Sequence, residues 1–237
     1  MKAPRKIEVC LSPKLISLYP LEDKLVVVID VLRATTAICM GFEHGVKAIR
    51  PVMTVEESLA LKASGYLAAA ERDGKVVDGF DFGNSPFAYM DGKVRGKKIA
   101  LTTTNGTKAI QLSKAAKQVY IGAFVNLQAV VETLAAREED ILLVCAGWKD
   151  NFNLEDTLFA GAVVHQLAAK QQLRCDAALA ATILYEKAKK DLFAFIRNSS
   201  HFQRLAHMGI EEDIRLSMTP NLCRKVPYLR GEELTAE

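Results

Sequence analysis

Short apolar segments alternate with longer amphipathic segments along most of the chain. The apolar segments carry many β-branched residues without polar alternation, which is typical of strands buried on both faces of a parallel sheet. They predict strands over residues 25–29, 46–52, 67–70, 98–102, 118–121 and 141–145. Helical spacing predicts helices over residues 35–44, 54–64, 107–116, 126–137 and 154–171. Thr54 and Glu57 form a capping box at the second of these helices.

This alternation predicts an α/β fold, a three-layer α/β/α sandwich around a mostly parallel, mixed central sheet. Residues 176–215 predict consecutive helices, and Pro220, Pro227 and a polar tail end the chain. No repeat or low-complexity linker divides the 237 residues, so we expect a single domain over residues 1–237. A chain of this length buries roughly 70–75% of its unfolded surface, which allows a deep site.

Composition narrows the classes of partner. The net charge of +3 balances 31 basic against 28 acidic residues, which argues against nucleic acid and leaves a small anionic ligand. The five cysteines are scattered and form no C-x-x-C pair, so neither a disulfide framework nor a zinc ribbon is indicated. No leader segment and no apolar run of ~20 residues stands out, so we expect a cytoplasmic protein without a membrane partner. The sequence is compatible with a homodimer.

Ligands of such sheets bind beyond the carboxyl ends of the strands. The strand over 25–29 leads directly into Asp30, Arg33 and Thr35. There Asp30 could hold Mg²⁺ or attack phosphorus, and Arg33 could clamp a phosphate. A structural interpretation is equally consistent, with Asp30 as a helix cap and Arg33 as its ion-pair partner.

A second polar turn follows the strand over 98–102. Its hydroxyl, amide and glycine groups suit an oxyanion cradle, and an N-cap with a tight turn is the alternative. The turn lacks the G-x-x-x-x-G-K-[ST] pattern, so ATP hydrolysis gains little support. The residues concerned are Thr103, Thr104, Asn105, Gly106 and Thr107.

Two further segments add acids. Glu71 and Arg72 follow the strand over 67–70, and Glu71 could be a second metal carboxylate. Asp156 begins the helix over 154–171, where a carboxylate is more often a dipole partner. Asn84 and Ser85 lie in the irregular segment 72–96 and on their own indicate only a turn. Strand-terminal acids, arginines and hydroxyl-rich turns together are typical of metal-assisted phosphoryl transfer.

The remaining candidate groups are interpreted as structural. The four histidines show no metal-ligand spacing, namely His44, His165, His201 and His207. Cys39 and Cys145 flank apolar runs and are interpreted as core residues rather than nucleophiles. Trp148 suits either a ligand lid or packing.

Taken together, DVLRATTAI, AERDG with GFDFGNSP, TTTNGT, and CAG with LED resemble, in this order, the 2-phosphosulfolactate phosphatase (ComB-like) family. The resemblance runs from about Val26 to the terminal KVPYLRG segment. It implies an α/β fold and a Mg²⁺-dependent phosphatase that converts (R)-2-phospho-3-sulfolactate to (R)-3-sulfolactate and phosphate, as in coenzyme M biosynthesis. Such relatives also occur in bacteria that do not make coenzyme M, so a related 2-phospho-hydroxyacid stays open as substrate.

On this resemblance we assign hypothetical roles. Asp30, Glu71 and Asp156 would hold Mg²⁺. Asp30 would also take part in catalysis, together with Arg33, Arg72, Thr104 and Asn105. The substrate would be bound by the other matching positions, which are Thr35, Asn84, Ser85, Thr103, Gly106 and Thr107.

Three alternatives accompany this hypothesis. The haloacid-dehalogenase phosphatases also use a strand-terminal Asp, but that class needs a second Asp two residues later, where this chain has Leu32. No general acid therefore stands at the usual spacing. The second alternative is a non-catalytic sensor of a phosphorylated metabolite, which would bind an anion without releasing phosphate. The third is an interaction protein whose polar loops bind no ligand.

Overall fold

The computed structural model describes residues 5–72, 75–167 and 175–237, with the side chains of Arg72 and Lys75 outside the description. The strands are β1 (Ile7–Cys10), β2 (Leu25–Ile29), β3 (Ala48–Pro51), β4 (Leu67–Arg72), β5 (Lys75–Val76), β6 (Lys98–Thr102), β7 (Gln118–Gly122), β8 (Ile141–Cys145), β9 (Tyr228–Arg230) and β10 (Glu233–Thr235). The α-helices are α1 (Ala34–Glu43), α2 (Val55–Lys62), α3 (Gly106–Leu112), α4 (Leu127–Ala135), α5 (Leu154–Leu167), α6 (Asp176–Ala188), α7 (Leu192–Ile196), α8 (Ser200–Ala206) and α9 (Glu211–Ser217). Four 3-10 helices connect them, at Pro13–Leu18, Pro86–Tyr89, Gly92–Val94 and Phe124–Asn126.

The strands form a mixed sheet in the order β1-β8-β2-β7-β9-β10-β3-β6-β4-β5. Strands β1, β8, β2 and β7 pair in parallel with one another, and so do β3, β6 and β4, whereas β5 is antiparallel to β4. The antiparallel hairpin of β9 and β10 joins these two parallel groups. The predicted α/β sandwich with a mostly parallel, mixed sheet is confirmed.

Strand β2 shows why the apolar runs predict the sheet correctly. All five of its residues are buried, and alternate side chains enter different cores. Val27 packs in the core that contains α4 and α5, whereas Val26 and Val28 pack with side chains of α1 and α3. A strand covered by helices on both faces has no position at which a polar side chain would reach water, so its sequence is apolar throughout.

The C-terminal segment differs from its prediction. Instead of a polar tail, residues 228–235 form β9 and β10 in the interior of the sheet. Leu234 is fully buried and pairs with Leu229 and Ile49. The two strands have three residues each, too few for an alternating pattern to stand out in the sequence.

Smaller differences concern the ends of elements. The predicted helix over 107–116 ends at Leu112, and α5 is described only to Leu167, so the rest of the helix predicted to 171 lies outside the described residues. The segment 72–96 contains β5 and two short 3-10 helices. Among the described helices, none combines the length and apolar character that crossing a membrane requires.

Candidate active site

Polar segments that follow β2, β6 and β8 meet the end of β4 and helix α8 at one cavity of about 390 Å³. Carboxylate, hydroxyl, amide and cationic side chains share its walls with a few apolar ones. The lining residues are Asp30, Leu32, Met53, Glu71, Asn84, Thr103, Thr104, Asn105, Lys108, Trp148, Lys149, His201, Arg204 and Leu205. This mixture suits a small, charged ligand.

Asp30 lies where β2 ends and α1 is about to begin. Its backbone N–H donates to Thr35 Oγ1 at 3.0 Å, and the Thr35 N–H donates back to the Asp30 carbonyl at 2.9 Å. Thr35 is fully buried and does not line the cavity, so it holds this turn. Burial, together with the charges of Glu155 and Glu71, raises the pKa of Asp30 to about 6, and the nearby His201 acts in the opposite direction. The site thus concentrates negative charge around Asp30.

The turn after β6 presents its hydroxyl groups to the cavity. Thr103 and Thr107 hold it closed, because the N–H of each donates to the hydroxyl of the other at 3.2 Å. Gly106 passes close to Asp30, so that a Cβ there would lie 2.7 Å from Asp30 Oδ2. Thr103, Thr104 and Asn105 line the cavity, whereas Gly106 and Thr107 shape the turn from behind.

Arg33 is placed beneath the cavity rather than in its wall. It is nearly buried, and its guanidinium donates to Asp213 at 2.5 Å and to Glu71 at 3.5 Å. Ser85 Oγ donates to the other carboxylate oxygen of Asp213 at 3.0 Å. Asn84 does line the cavity, and its buried Oδ1 accepts no hydrogen bond within the part of the chain described. The side chain of Arg72, a predicted catalytic residue, lies outside the described residues.

Asp156 lies deeper than a cavity ligand. It is fully buried, and its two carboxylate oxygens accept hydrogen bonds from the backbone N–H groups of Val31 at 2.9 Å and Gly147 at 3.1 Å. Burial raises its pKa well above the usual range, and the charges of Glu155 and Asp30 add to this. Over residues 5–72, 75–167 and 175–237, no three His, Cys, Asp or Glu side chains are grouped to hold a metal ion. The structure therefore brings Asp30 and Glu71 to the cavity, but not Asp156.

Sequence reasoning missed a buried pair at the cavity wall. His201, interpreted as structural, lines the cavity from α8, and its Nδ1 bonds to Oε1 of Glu155. Asn153 Nδ2 donates to the same oxygen at 3.0 Å. The pair joins positions 46 residues apart, so no local spacing could have revealed it.

Sequence reasoning also missed a group of cationic side chains around Trp148 at the cavity. We call it the cationic wall, and its members are Lys108, Lys149 and Arg204. The backbone N–H of Trp148 donates to the carbonyl of Asn151, and the backbone N–H of Asn151 donates to the carbonyl of Trp148, each at 3.0 Å. These two hydrogen bonds close a tight loop. Lys149 Nζ lies 4.8 Å from the centroid of the Trp148 ring, and Arg204 Cζ lies 4.3 Å from it. Both cations line the cavity with Lys108, which pairs with Asp150 at 2.7 Å. Trp148, left open by the sequence, thus organises positive charge at the cavity.

The cysteine interpretation agrees with the structure. Cys39 and Cys145 are fully buried, and burial raises the pKa of both thiols well above the usual value. Neither lines the cavity. Both pack as core side chains.

A cavity with acidic, hydroxyl and cationic walls at the strand ends of an α/β sandwich is typical of proteins that bind small anionic ligands. Residues 10–232 match the model of the family described as 2-phosphosulpholactate phosphatase. Proteins named "Probable 2-phosphosulfolactate phosphatase" are 43% identical over 210 residues in Thermotoga petrophila, covering 89% of this chain and 91% of that protein, and 34% identical in Clostridium acetobutylicum, covering 97% and 100%. The chain belongs to the 2-phosphosulfolactate phosphatase family, whose members are phosphoric monoester hydrolases. The resemblance inferred from its motifs is confirmed.

Proposed function

We propose that this protein hydrolyses (R)-2-phospho-3-sulfolactate, or a closely related 2-phospho-hydroxyacid, to the hydroxyacid and phosphate with the help of Mg²⁺. The observation that carries the proposal is one cavity in which buried Asp30 faces a hydroxyl-rich turn and three cationic side chains, Lys108, Lys149 and Arg204. A phosphomonoester needs both: donors and cations for its oxygens, and a carboxylate for metal binding or attack at phosphorus.

The phosphate group would be bound at the turn after β6. The side chains of Thr103, Thr104 and Asn105 line the cavity there, and the close packing of Gly106 on Asp30 keeps the turn beside the carboxyl group. Hydroxyl and amide donors fixed in this way stabilise charge that develops on the phosphate oxygens in the transition state.

The other anionic groups of the substrate would meet the cationic wall around Trp148. A 2-phosphosulfolactate carries a carboxylate and a sulfonate besides its phosphate, and Lys149 and Arg204 both line the cavity next to the indole ring. Arg33, the residue expected for this role, is held by Asp213 and Glu71 and does not line the cavity. We therefore assign recognition of the second anion to Lys149 and Arg204, and a supporting role to Arg33.

Magnesium would be held by Asp30 and Glu71. Both carboxylates line the cavity, and the raised pKa of Asp30 reflects burial and negative neighbours that a cation would relieve. Two protein carboxylates fit this ion, which commonly completes its coordination with water and substrate phosphate. When bound, Mg²⁺ neutralises phosphate charge. Asp156 instead fixes the backbone at Val31 and Gly147, and so positions Asp30 indirectly.

Two versions of the attack on phosphorus follow from the position of Asp30. Either its carboxylate attacks and forms a phosphoaspartate, or it positions a water molecule that attacks. Rapid acid quench of a single turnover distinguishes them, because an acyl phosphate on Asp30 is detectable by mass spectrometry only in the first case.

The activity is tested by phosphate release from 2-phosphosulfolactate, 2-phospholactate, phosphoglycolate and an aryl phosphate, with Mg²⁺ and with a chelator. We expect metal-dependent release that is fastest with the sulfonated substrate. Release that is unaffected by thorough chelation would contradict the role of Mg²⁺. A preference for phosphoglycolate would contradict the role of the cationic wall.

A further inference from the structure

His201 is the cavity residue that phosphate and metal binding leave without a role. It is 8% exposed, and Glu155, its partner, is fully buried. Within the described residues, Oε2 of Glu155 has no hydrogen-bond partner, and the His201 ring is bonded to Glu155 through Nδ1. An ionisable pair in such a place is costly to maintain for packing alone.

The hydrogen bonds of the pair fix the orientation of the ring. Glu155 Oε1 accepts from Asn153 Nδ2 at 3.0 Å and is also bonded to His201 Nδ1. A histidine whose Nδ1 donates to a carboxylate keeps one tautomer and orientation, and it presents Nε2 on its other side. Because His201 lines the cavity, Nε2 is the nitrogen left for a ligand there.

The reaction requires a proton at the leaving oxygen. The alcohol of a 2-hydroxyacid is a poor leaving group as an alkoxide, so its departure is accelerated by a positioned acid. The chain has Leu32 at the position where the haloacid-dehalogenase class carries its acid. Helix α8 brings His201 to the same cavity as Asp30 from a distant part of the sequence.

We infer that His201 is the general acid that protonates the leaving alcohol, with Glu155 as its positioning residue; this inference rests on the proposed phosphatase function. As the P–O bond to the substrate alcohol breaks, its electron pair stays on the bridging oxygen, which takes the proton from Nε2. The incoming oxygen, from water or from Asp30, forms the new P–O bond. In this role His201 donates from its imidazolium form, which Glu155 stabilises, and the ring is neutral once the proton has left. A water proton returns to Nε2 when water attacks phosphorus and restores the imidazolium.

The test compares two substrates whose leaving groups differ in their need for a proton. Wild type and His201→Gln are assayed with 2-phosphosulfolactate, which leaves as an alcohol, and with p-nitrophenyl phosphate, whose phenolate leaves unprotonated. We expect kcat of His201→Gln to fall about 10²–10⁴-fold with 2-phosphosulfolactate and less than about tenfold with the aryl phosphate, with KM little changed. Glu155→Gln, which keeps the histidine, should show a smaller loss with the same substrate dependence.

His165→Gln is the matched control, because His165 also faces a carboxylate, Glu186 at 3.4 Å, and does not line the cavity. It should retain wild-type kcat with both substrates. Equal losses with both substrates in His201→Gln and Glu155→Gln, or no loss with 2-phosphosulfolactate, would overturn the role of His201 while the phosphatase function stands. If wild type releases phosphate from neither substrate, the proposed function itself fails and the inference fails with it.

Discussion

Single residues around Asp30 show how closely the backbone packs on the reacting end of the cavity. Asp30 is nearly buried, its N–H is taken by Thr35, and Gly106 passes beside its carboxyl group. Any side chain at position 106 would occupy the space of that carboxyl group. The glycine is therefore required by close approach, not by its backbone dihedral angles.

Gly106→Ala tests this packing. Its Cβ would lie 2.7 Å from Asp30 Oδ2 and 2.8 Å from Ala34 Cβ, so the backbone or the carboxyl group must move. We expect the free energy of unfolding to fall by about 1–3 kcal/mol and kcat to fall at least about tenfold. Urea unfolding and phosphate release measure both effects. Gly92→Ala is the control, since a Cβ there meets nothing within 4 Å, and a similar loss in that variant would contradict the explanation.

The burial of the cysteine side chains predicts the order in which their thiols react with an alkylating agent. Burial raises the pKa of Cys10 to about 11 and that of Cys223 to about 12, and it raises the thiol pKa of Cys39 and Cys145 well above the usual value. Only the thiolate reacts with alkylating agents, so these four thiols should stay unmodified in the native protein at pH 8. Cys175 is half-buried and should react first.

Brief treatment with iodoacetamide, followed by peptide mass spectrometry, measures the order of reaction. Unfolding in urea should expose all five cysteines and serves as the control. If Cys145 were modified as fast as Cys175, its thiol would be accessible in the native protein, and the predicted order of reaction would be wrong.

Among the elements, the hairpin of β9 and β10 lies in the interior of the sheet although it comes from the C-terminal segment. It lies between β7 and β3 and so connects the two parallel parts of the sheet. Leu234 is fully buried in the core that also contains Ile49 and Val119. The end of the chain thus completes the sheet that carries the site.

Leu234→Ala should therefore destabilise the whole molecule. Removing a fully buried leucine side chain costs about 2–5 kcal/mol, through lost burial and the cavity left behind. Leu222→Ala, at a position that is 45% exposed, should change the free energy of unfolding by less than about 0.5 kcal/mol. Urea unfolding of the two variants gives the comparison. Equal stabilities would mean that the hairpin contributes little to the sheet.

The elements that the sequence predicts correctly are those whose pattern reflects their burial. Strands β2 and β8 have continuous apolar sequences because both faces are covered, and Thr54 with Glu57 forms the predicted capping box. Strands β9 and β10 escape prediction because each has only three residues, too few for a pattern of buried and exposed positions to stand out. Their position depends on the assembled sheet and not on local propensity.

In the whole molecule, the site combines segments whose functional residues can be predicted from the sequence with segments whose functional residues cannot. Asp30 and Thr103 follow strands and Glu71 lies at the end of β4, so the rule that ligands bind at strand ends finds them. His201 and Arg204 come from a C-terminal helix whose own sequence gives no sign of the cavity. Asp156 fits the family motif, but tertiary packing directs its carboxylate to backbone N–H groups. The sequence thus predicts the strand-end residues, whereas tertiary packing determines which of them line the cavity.

The proposed function requires that this cavity turns over a multiply charged phosphomonoester. Turnover can be followed by phosphorus NMR of wild type and Asp30→Asn, each mixed with 2-phosphosulfolactate and Mg²⁺. We expect the substrate signal to be replaced by inorganic phosphate with wild type and to persist with Asp30→Asn. A wild-type sample whose substrate signal shifts on binding but never converts would identify a metabolite sensor, and equal conversion by both proteins would remove Asp30 from the reaction.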